Sequence, residues 1–372
     1  MVKHLRRRNA PRPLSVALLA LAGGILLVWA LAGGDDSRPR GAQRGRQLFR
    51  TTFTAKQGLG PLFNARACST CHRFPSLGGV GRHGLATVSR VGRVAHGSFD
   101  AMAGRGGPIA RVHAITGCGS GAGIPAGATV VSVRNAPSLF GTGLIDSIPD
   151  ATIQAGASAS GGAHITGRVN LVHGPDGVVR VGRFGWKADV PTLEQFVAQA
   201  FRNELGLTSP LAPFDTLPRA AQTCARESAV PEVSASDVAD VTAFVASLPE
   251  PRPARPDPRG TAVFAATGCA SCHRPALRGA AGPVPLYSDL LVHDMGRTLD
   301  DHVLQGSATG REWRTAPLWG LGSRTRYLHD GRADTLAAAI LAHGGEAGTA
   351  RGRFRRLPSV DQRLLIEFLQ SL

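Results

Sequence analysis

Cys68-Ser69-Thr70-Cys71-His72 and Cys269-Ala270-Ser271-Cys272-His273 are two CxxCH motifs in one chain of 372 residues. Two thiols spaced this way add across the two vinyl groups of one haem. The adjacent histidine then reaches the iron. The motifs therefore predict two covalently bound haem c groups, attached at Cys68, Cys71, Cys269 and Cys272, with His72 and His273 as proximal ligands. A zinc ribbon needs a further Cys/His pair at matching spacing, and a thioredoxin-like CxxC needs a βαβ setting. Neither is present. Each porphyrin is a large flat apolar body, which fits an aromatic content of only 5%.

The chain reads as an imperfect repeat. Gly-x-x-x-Phe occurs at Gly45 to Phe49 and Gly260 to Phe264, each ahead of a CxxCH. Arg-x-Ala-Pro follows at Arg134 to Pro137 and Arg314 to Pro317. Thr192-Leu193 and Thr335-Leu336 open amphipathic segments, and Phe-x-x-Ser-Leu closes each half at Phe244 to Leu248 and Phe368 to Leu372. Four signals in the same order argue for two copies of one unit. Val238, Val241, Phe244, Val245 and Leu248 recur at helical spacing, as do Leu364, Leu365, Phe368, Leu369 and Leu372, and both stripes read as core. The fold expected is mainly α, with two cytochrome c-like domains at 45–248 and 259–372. A Pro-rich linker, 249–258, separates them, because such a density of proline excludes helix and central strand. A small β-containing insertion is expected at about 90–180. Residues 128–133 and 177–181 read as strands there, and Gly174-Pro175-Asp176-Gly177 as a turn.

Residues 1–34 carry Lys3, Arg6, Arg7, Arg8 and Arg12 ahead of an apolar run from about Leu14 to Ala32. This is a signal peptide or a signal anchor, and it places the rest of the chain in the periplasm or on the periplasmic face of the inner membrane. Both outcomes stay open: Ala30-Leu31-Ala32 fits cleavage, and the run is nearly long enough to span. The formal charge is +16, but the arginines are scattered without aromatic interleaving, so no nucleic-acid partner is expected. Cys118 and Cys224 are left over, either as a disulfide or as a redox-active thiol pair.

Function depends on the sixth ligand of each iron. Two strong ligands make an electron carrier, and an open position admits peroxide or substrate. His343 ends the Thr335 helix before Gly344-Gly345, on the side of Leu336 and Ile340. It is favoured as sixth ligand of the second haem, with Met295 as competitor.

Phe184-Gly185-Trp186-Lys187-Ala188, Thr192-Leu193-Glu194-Gln195, Leu290 to Gly296 (LLVHDMG), Gly310 to Thr315 (GREWRT) and Leu328-His329-Asp330-Gly331-Arg332 together resemble the di-haem oxidoreductase family, described as thiol oxidoreductases or peroxidases. The likeness runs from about residue 45 to the C-terminus. More distantly, the chain is similar to di-haem cytochrome c peroxidases and to the di-haem enzyme that matures methylamine dehydrogenase. The resemblance implies that His343 falls at the distal-ligand position of the C-terminal haem, and that His329 is structural. It implies that the catalytic distal Glu position of the first haem holds Gln195, which can orient peroxide but cannot take its proton. His83 matches a displaceable distal histidine, and Trp186 or Trp319 could bridge the haems.

The reading is a peroxidase-like, periplasm-facing di-haem c-type oxidoreductase, with a C-terminal electron-relay haem and an N-terminal substrate or peroxide haem. Its expected partners are a redox protein (a small cytochrome or copper protein) and peroxide or another small molecule; the membrane is touched only through the N-terminal segment. The alternatives are a pure electron carrier and a redox-coupled partner-binding module.

Overall fold

Gly45 and Gly260 sit where two helices cross too closely for a side chain. A Cβ at Gly45 would lie 1.8 Å from the carbonyl oxygen of Asp240, and one at Gly260 2.6 Å from that of Leu364. The crossings are between the opening helix Arg40–Arg50 and the closing helix Ala235–Ala246, and between Pro258–Thr267 and Ser359–Ser371. One turn on, Phe49 meets Phe244 at 5.2 Å between ring centroids, and Phe264 meets Phe368 at 5.1 Å. Gly141 and Gly320, which follow the two Arg-x-Ala-Pro stretches, both adopt φ of +72°. Their amides donate to the carbonyls of Leu248 and Leu372, the last residues of the two closing motifs. Thr192 and Thr335 cap their helices in the same way, accepting from the amides of Gln195 and Ala338 at 3.2 and 3.1 Å. The repeated signals thus mark matching contacts.

This computed structural model describes residues 39–81, 86–118, 121–158, 165–174, 176–224, 231–251 and 256–372. The N-terminal segment 1–34, His83 and Pro175 lie outside the described residues. Among those described, no helix is long and apolar enough to cross a membrane.

The expectation of a mainly α fold is corrected by the strands. Twelve of them form five small sheets among the described residues. The largest is in the insertion, where Thr87–Ala95 pairs antiparallel with Val130–Asn135, Ser98–Asp100 and Ile109–Ala110. Leu171–His173 and Val179–Val181 form a hairpin. Further strands lie outside the insertion: Leu62–Phe63, Leu277–Gly279, Gly282–Val284, Val292–Asp294 and Glu312–Arg314. Each is two or three residues long, too short to carry a period-2 pattern, so pairing with a distant partner defines them.

The larger apolar core holds Phe49, Phe201 and Phe244 and also takes in Leu277, Leu286, Leu290, Leu291 and Trp319 from beyond the proline-rich stretch. A smaller core gathers Phe264, Leu318, Leu336, Phe354 and Phe368. Lys187 joins the halves. It is fully buried, its ammonium donates to the carbonyls of Thr309, Gly310 and Glu312 at 2.5, 3.0 and 3.0 Å, and it lies 3.1 Å from Asp301. The Trp313 ring closes the cage, with its centroid 4.2 Å from Nζ.

Cys118 and Cys224 are joined as a disulfide across 106 residues. A loop of that size is expected to contribute about 2–4 kcal/mol. Cys118→Ser should therefore lower the urea midpoint of the purified protein and, by letting the unfolded chain expand, raise the slope somewhat. An unchanged midpoint would show that the bridge does not constrain the unfolded chain.

Candidate haem centres

At the first CxxCH the helix Cys68–Cys71 ends at His72. The Nδ1 of His72 is 3.1 Å from the Gly79 carbonyl, so that nitrogen is the donor and Nε2 has no hydrogen-bond partner among the described residues. At the second, Nδ1 of His273 is 3.0 Å from the Tyr287 carbonyl. His343 closes the helix Leu336–Ala342, and its Nδ1 is 2.7 Å from the Ala339 carbonyl. A backbone acceptor on Nδ1 fixes the tautomer and turns the lone pair of Nε2 outward, as in histidines that bind metals.

Burial holds all three imidazoles neutral, the ligand form. It lowers His72 and His343, and it takes His273 down to about 4, helped by the charge of His343 within electrostatic range. Cys68, Cys71, Cys269 and Cys272 are unpaired. Burial pushes the thiols of Cys68, Cys71 and Cys269 up to about 12, 11 and 11. His72, His273, His343 and Cys68 are each enclosed by the protein and yet keep accessible side-chain surface. Two thiols beside an imidazole whose Nδ1 is held by a backbone carbonyl form the donor set that fits a haem. Cys68 would attach it with Cys71 at one site, Cys269 with Cys272 at the other.

Glu204 faces its surroundings in the same enclosed but accessible manner. Burial raises its carboxyl above the usual range, against the opposing charges of Arg111 and Arg90. Oε2 accepts from Asn64 Nδ2 at 2.9 Å, and the Glu204 carbonyl accepts from the amides of Asn64 and Ala65. Its charge in turn raises the Cys71 thiol. The helix Leu193–Leu205 thus carries a carboxyl to the first CxxCH. Gln195, at the start of that helix, is half-buried, and only its amide is engaged, by the Thr192 hydroxyl. The sequence does carry a signal for Glu204. It lies at i+7 from Val197 and i+3 from Phe201, on the buried stripe of the helix, where a carboxylate is unexpected.

Trp186 is half-buried, with Nε1 donating to the Asn135 carbonyl at 2.9 Å. It lines a small cavity with Pro137, Phe196, Arg314, Pro317 and Trp319, so both Arg-x-Ala-Pro stretches and both candidate bridge tryptophans meet there. His329 is buried and stacks on Trp313 at 3.8 Å between centroids. His293, unremarked in the sequence, is held between Asp289 at 3.0 Å and Glu346 at 2.8 Å, with Cys272 Sγ at 3.8 Å. Burial opposes its charge, but Asp289, Cys272 and Glu346 together raise it to about 12.

A family model described as "Di-haem oxidoreductase, putative peroxidase" matches residues 128–372. The chain belongs to this family. Within the di-haem oxidoreductase match lie the second CxxCH, Glu204 and His343. Solved structures with a related backbone include a Kuenenia stuttgartiensis hydrazine synthase, 14% identical over 98% of this chain and 100% of that one, with a TM-score of 0.41. Another is a MauG-like protein associated with microbial copper homeostasis, 15% identical over 92% and 91%, TM-score 0.45. The diheme peroxidase BthA from Burkholderia thailandensis is 15% identical over 90% and 86%, TM-score 0.43. No curated protein matches the chain.

Proposed function

We propose that this di-haem oxidoreductase is a c-type enzyme of the cell envelope that reduces peroxide at its first haem and receives electrons at its second. The observation that carries the reading is an asymmetry. The second CxxCH has two imidazoles, His273 and His343, within electrostatic range and each tied back through Nδ1. The first has His72 and, in place of a second imidazole among the described residues, the enclosed carboxyl of Glu204. Two strong ligands suit a relay, while one ligand beside a proton-handling group suits chemistry.

A bound haem supplies an iron that passes single electrons and, with its sixth position free, takes a small oxidant. The chain supplies the rest. Cys68 with Cys71, and Cys269 with Cys272, form the covalent attachments. Glu204 would take a proton from hydrogen peroxide and return it to the oxygen that leaves as water. Asn64 Nδ2 holds the carboxyl in place, and Arg111 and Arg90 oppose the burial that would keep it protonated. The basic and apolar stretch within residues 1–34 directs the chain outward, where covalent haem and a disulfide are both at home.

An electron paramagnetic resonance spectrum of the oxidised holoprotein tests the assignment. One low-spin and one high-spin haem are expected. Two low-spin haems would make the protein an electron carrier and remove the reactive site. His343→Ala should convert the low-spin signal to high-spin and let that haem bind small ligands. If the low-spin signal survives, another residue holds the second iron, and Met295→Ala is the next variant to measure.

A further inference from the structure

The helix Gly348–Arg356 packs against both elements that frame the second CxxCH. One is Pro258–Thr267, which leads into the motif, and the other is Leu336–Ala342, which ends at His343. It carries Arg351, Arg353, Arg355 and Arg356. Arg353, Arg355 and Arg356 are exposed and Arg351 is half-buried. No hydrogen bond or ion pair joins any of the four guanidiniums to another described residue. Of the two carboxylates that flank the helix in sequence, Glu346 is engaged by His293, Thr166 and the Asp294 amide, and Asp361 lies in the first turn of Ser359–Ser371 with no ion pair to these arginines. Arg353 reaches over Gly268, where a Cβ would sit 3.1 Å from its Nη1; Cys269 is the next residue. The charge of Arg351 is felt at His343. Leu341, two residues before His343, is 44% exposed.

The helix dipole accounts for basic residues in the last turn. It does not account for four unneutralised cations on nine residues, whose mutual repulsion opposes the fold unless something acidic offsets it. An apolar contact rimmed by one sign of charge suits a transient complex, in which charge steers the encounter and a small interface lets the partner leave.

We infer that the arginine face of Gly348–Arg356 is the docking surface for an acidic electron-carrier protein that exchanges electrons with the second haem. The inference rests on the relay role proposed for that haem. It adds the place of docking and the charge of the partner. A complementary acidic surface around the carrier's own redox centre would bring the two centres together across the short segment from Gly268 to Cys269.

The holoprotein is mixed in a stopped-flow instrument with flavodoxin hydroquinone, a small acidic protein reductant, and separately with the methyl viologen radical cation. At about 10 mM salt, where charges act over about 30 Å, flavodoxin should reduce the second haem rapidly, and the rate should fall steeply as salt is added. The viologen rate should not fall with salt. Replacing all four arginines (Arg351→Gln, Arg353→Gln, Arg355→Gln and Arg356→Gln) should cut the flavodoxin rate about tenfold or more at low salt. The viologen rate should not fall and the optical spectra should stay unchanged, which shows that the haems are intact. An unaltered flavodoxin rate and salt slope in that variant would overturn the docking site. Electrons from flavodoxin that arrive first at the high-spin haem would instead overturn the relay reading, whatever the salt dependence.

Discussion

Glu204→Gln is expected to lower hydrogen peroxide turnover of the haem-loaded protein by about a hundredfold or more, the loss typical of a missing general base. The amide keeps the shape and the Asn64 contact but cannot carry the proton. Turnover is followed with a reduced electron donor, while the spectra show whether both haems remain. The wild-type pH profile should share the cause. Burial raises the Glu204 carboxyl, and the ionised form is the base. Activity should therefore fall as pH drops, with a midpoint above the ordinary glutamate value of about 4.3, and this limb should be missing in the variant. Gln195→Ala should change turnover only a few-fold at most. If Gln195→Ala is crippling and Glu204→Gln is not, the proton is handled at the start of the helix and Glu204 is structural.

Lys187→Met is expected to destabilise the fold by about 3–5 kcal/mol, the scale for breaking a buried ion pair. The methionine fills the space but donates nothing. The carbonyls of Thr309, Gly310 and Glu312 lose the ammonium donor, and the Asp301 carboxylate keeps Arg134, Ser132 and the Val303 amide as partners. Trp313, flanked by Arg134 and Lys187, loses one of its two cation contacts. Because Lys187 comes from the first half and the cage from the second, the loss falls on their joint. Urea denaturation of wild type and variant, each with both haems, gives the difference. A change within about 0.5 kcal/mol, the range of ordinary surface substitutions, would show that water or repacking satisfies the cage. Burial lowers the Lys187 ammonium to about 8 against the pull of Asp301. Between about 8 and the usual lysine range near 10.4 the unfolded chain keeps the proton that the folded one has lost, so the titration of this group should make the fold more stable as pH rises through that window.

What the sequence determined by itself was local. CxxCH is a contiguous code for thiol spacing and an adjacent imidazole, so Cys68, Cys71, His72, Cys269, Cys272 and His273 could be read off directly. The repeat was legible because its signals are turns, caps and crossings that recur in order. Gly45 and Gly260 are glycines because a helix crosses there, and Thr192 and Thr335 are threonines because a helix begins there. His343 was legible from its place at a helix end, and the structure gives it the same Nδ1 anchor as the two CxxCH histidines.

Only the tertiary structure decided the strand content and the enclosed setting of the Glu204 carboxyl. Strands of two or three residues have no pattern of their own; Val292–Asp294 is a strand because Glu312–Arg314 lies beside it. Reading along the chain put weight on Gln195, which neighbours a recognisable motif. Glu204 lies on the other face of the helix Leu193–Leu205, because nine residues along it turn a side chain by about half a turn, and its charge reaches the Cys71 thiol. Lys187 and His293 were invisible as charged groups for the same reason. A buried charge is tolerated only when distant residues surround it with partners. The cage from Asp301 to Glu312 is brought to Lys187 by the fold, and Glu346 to His293, while the sequence holds them far apart.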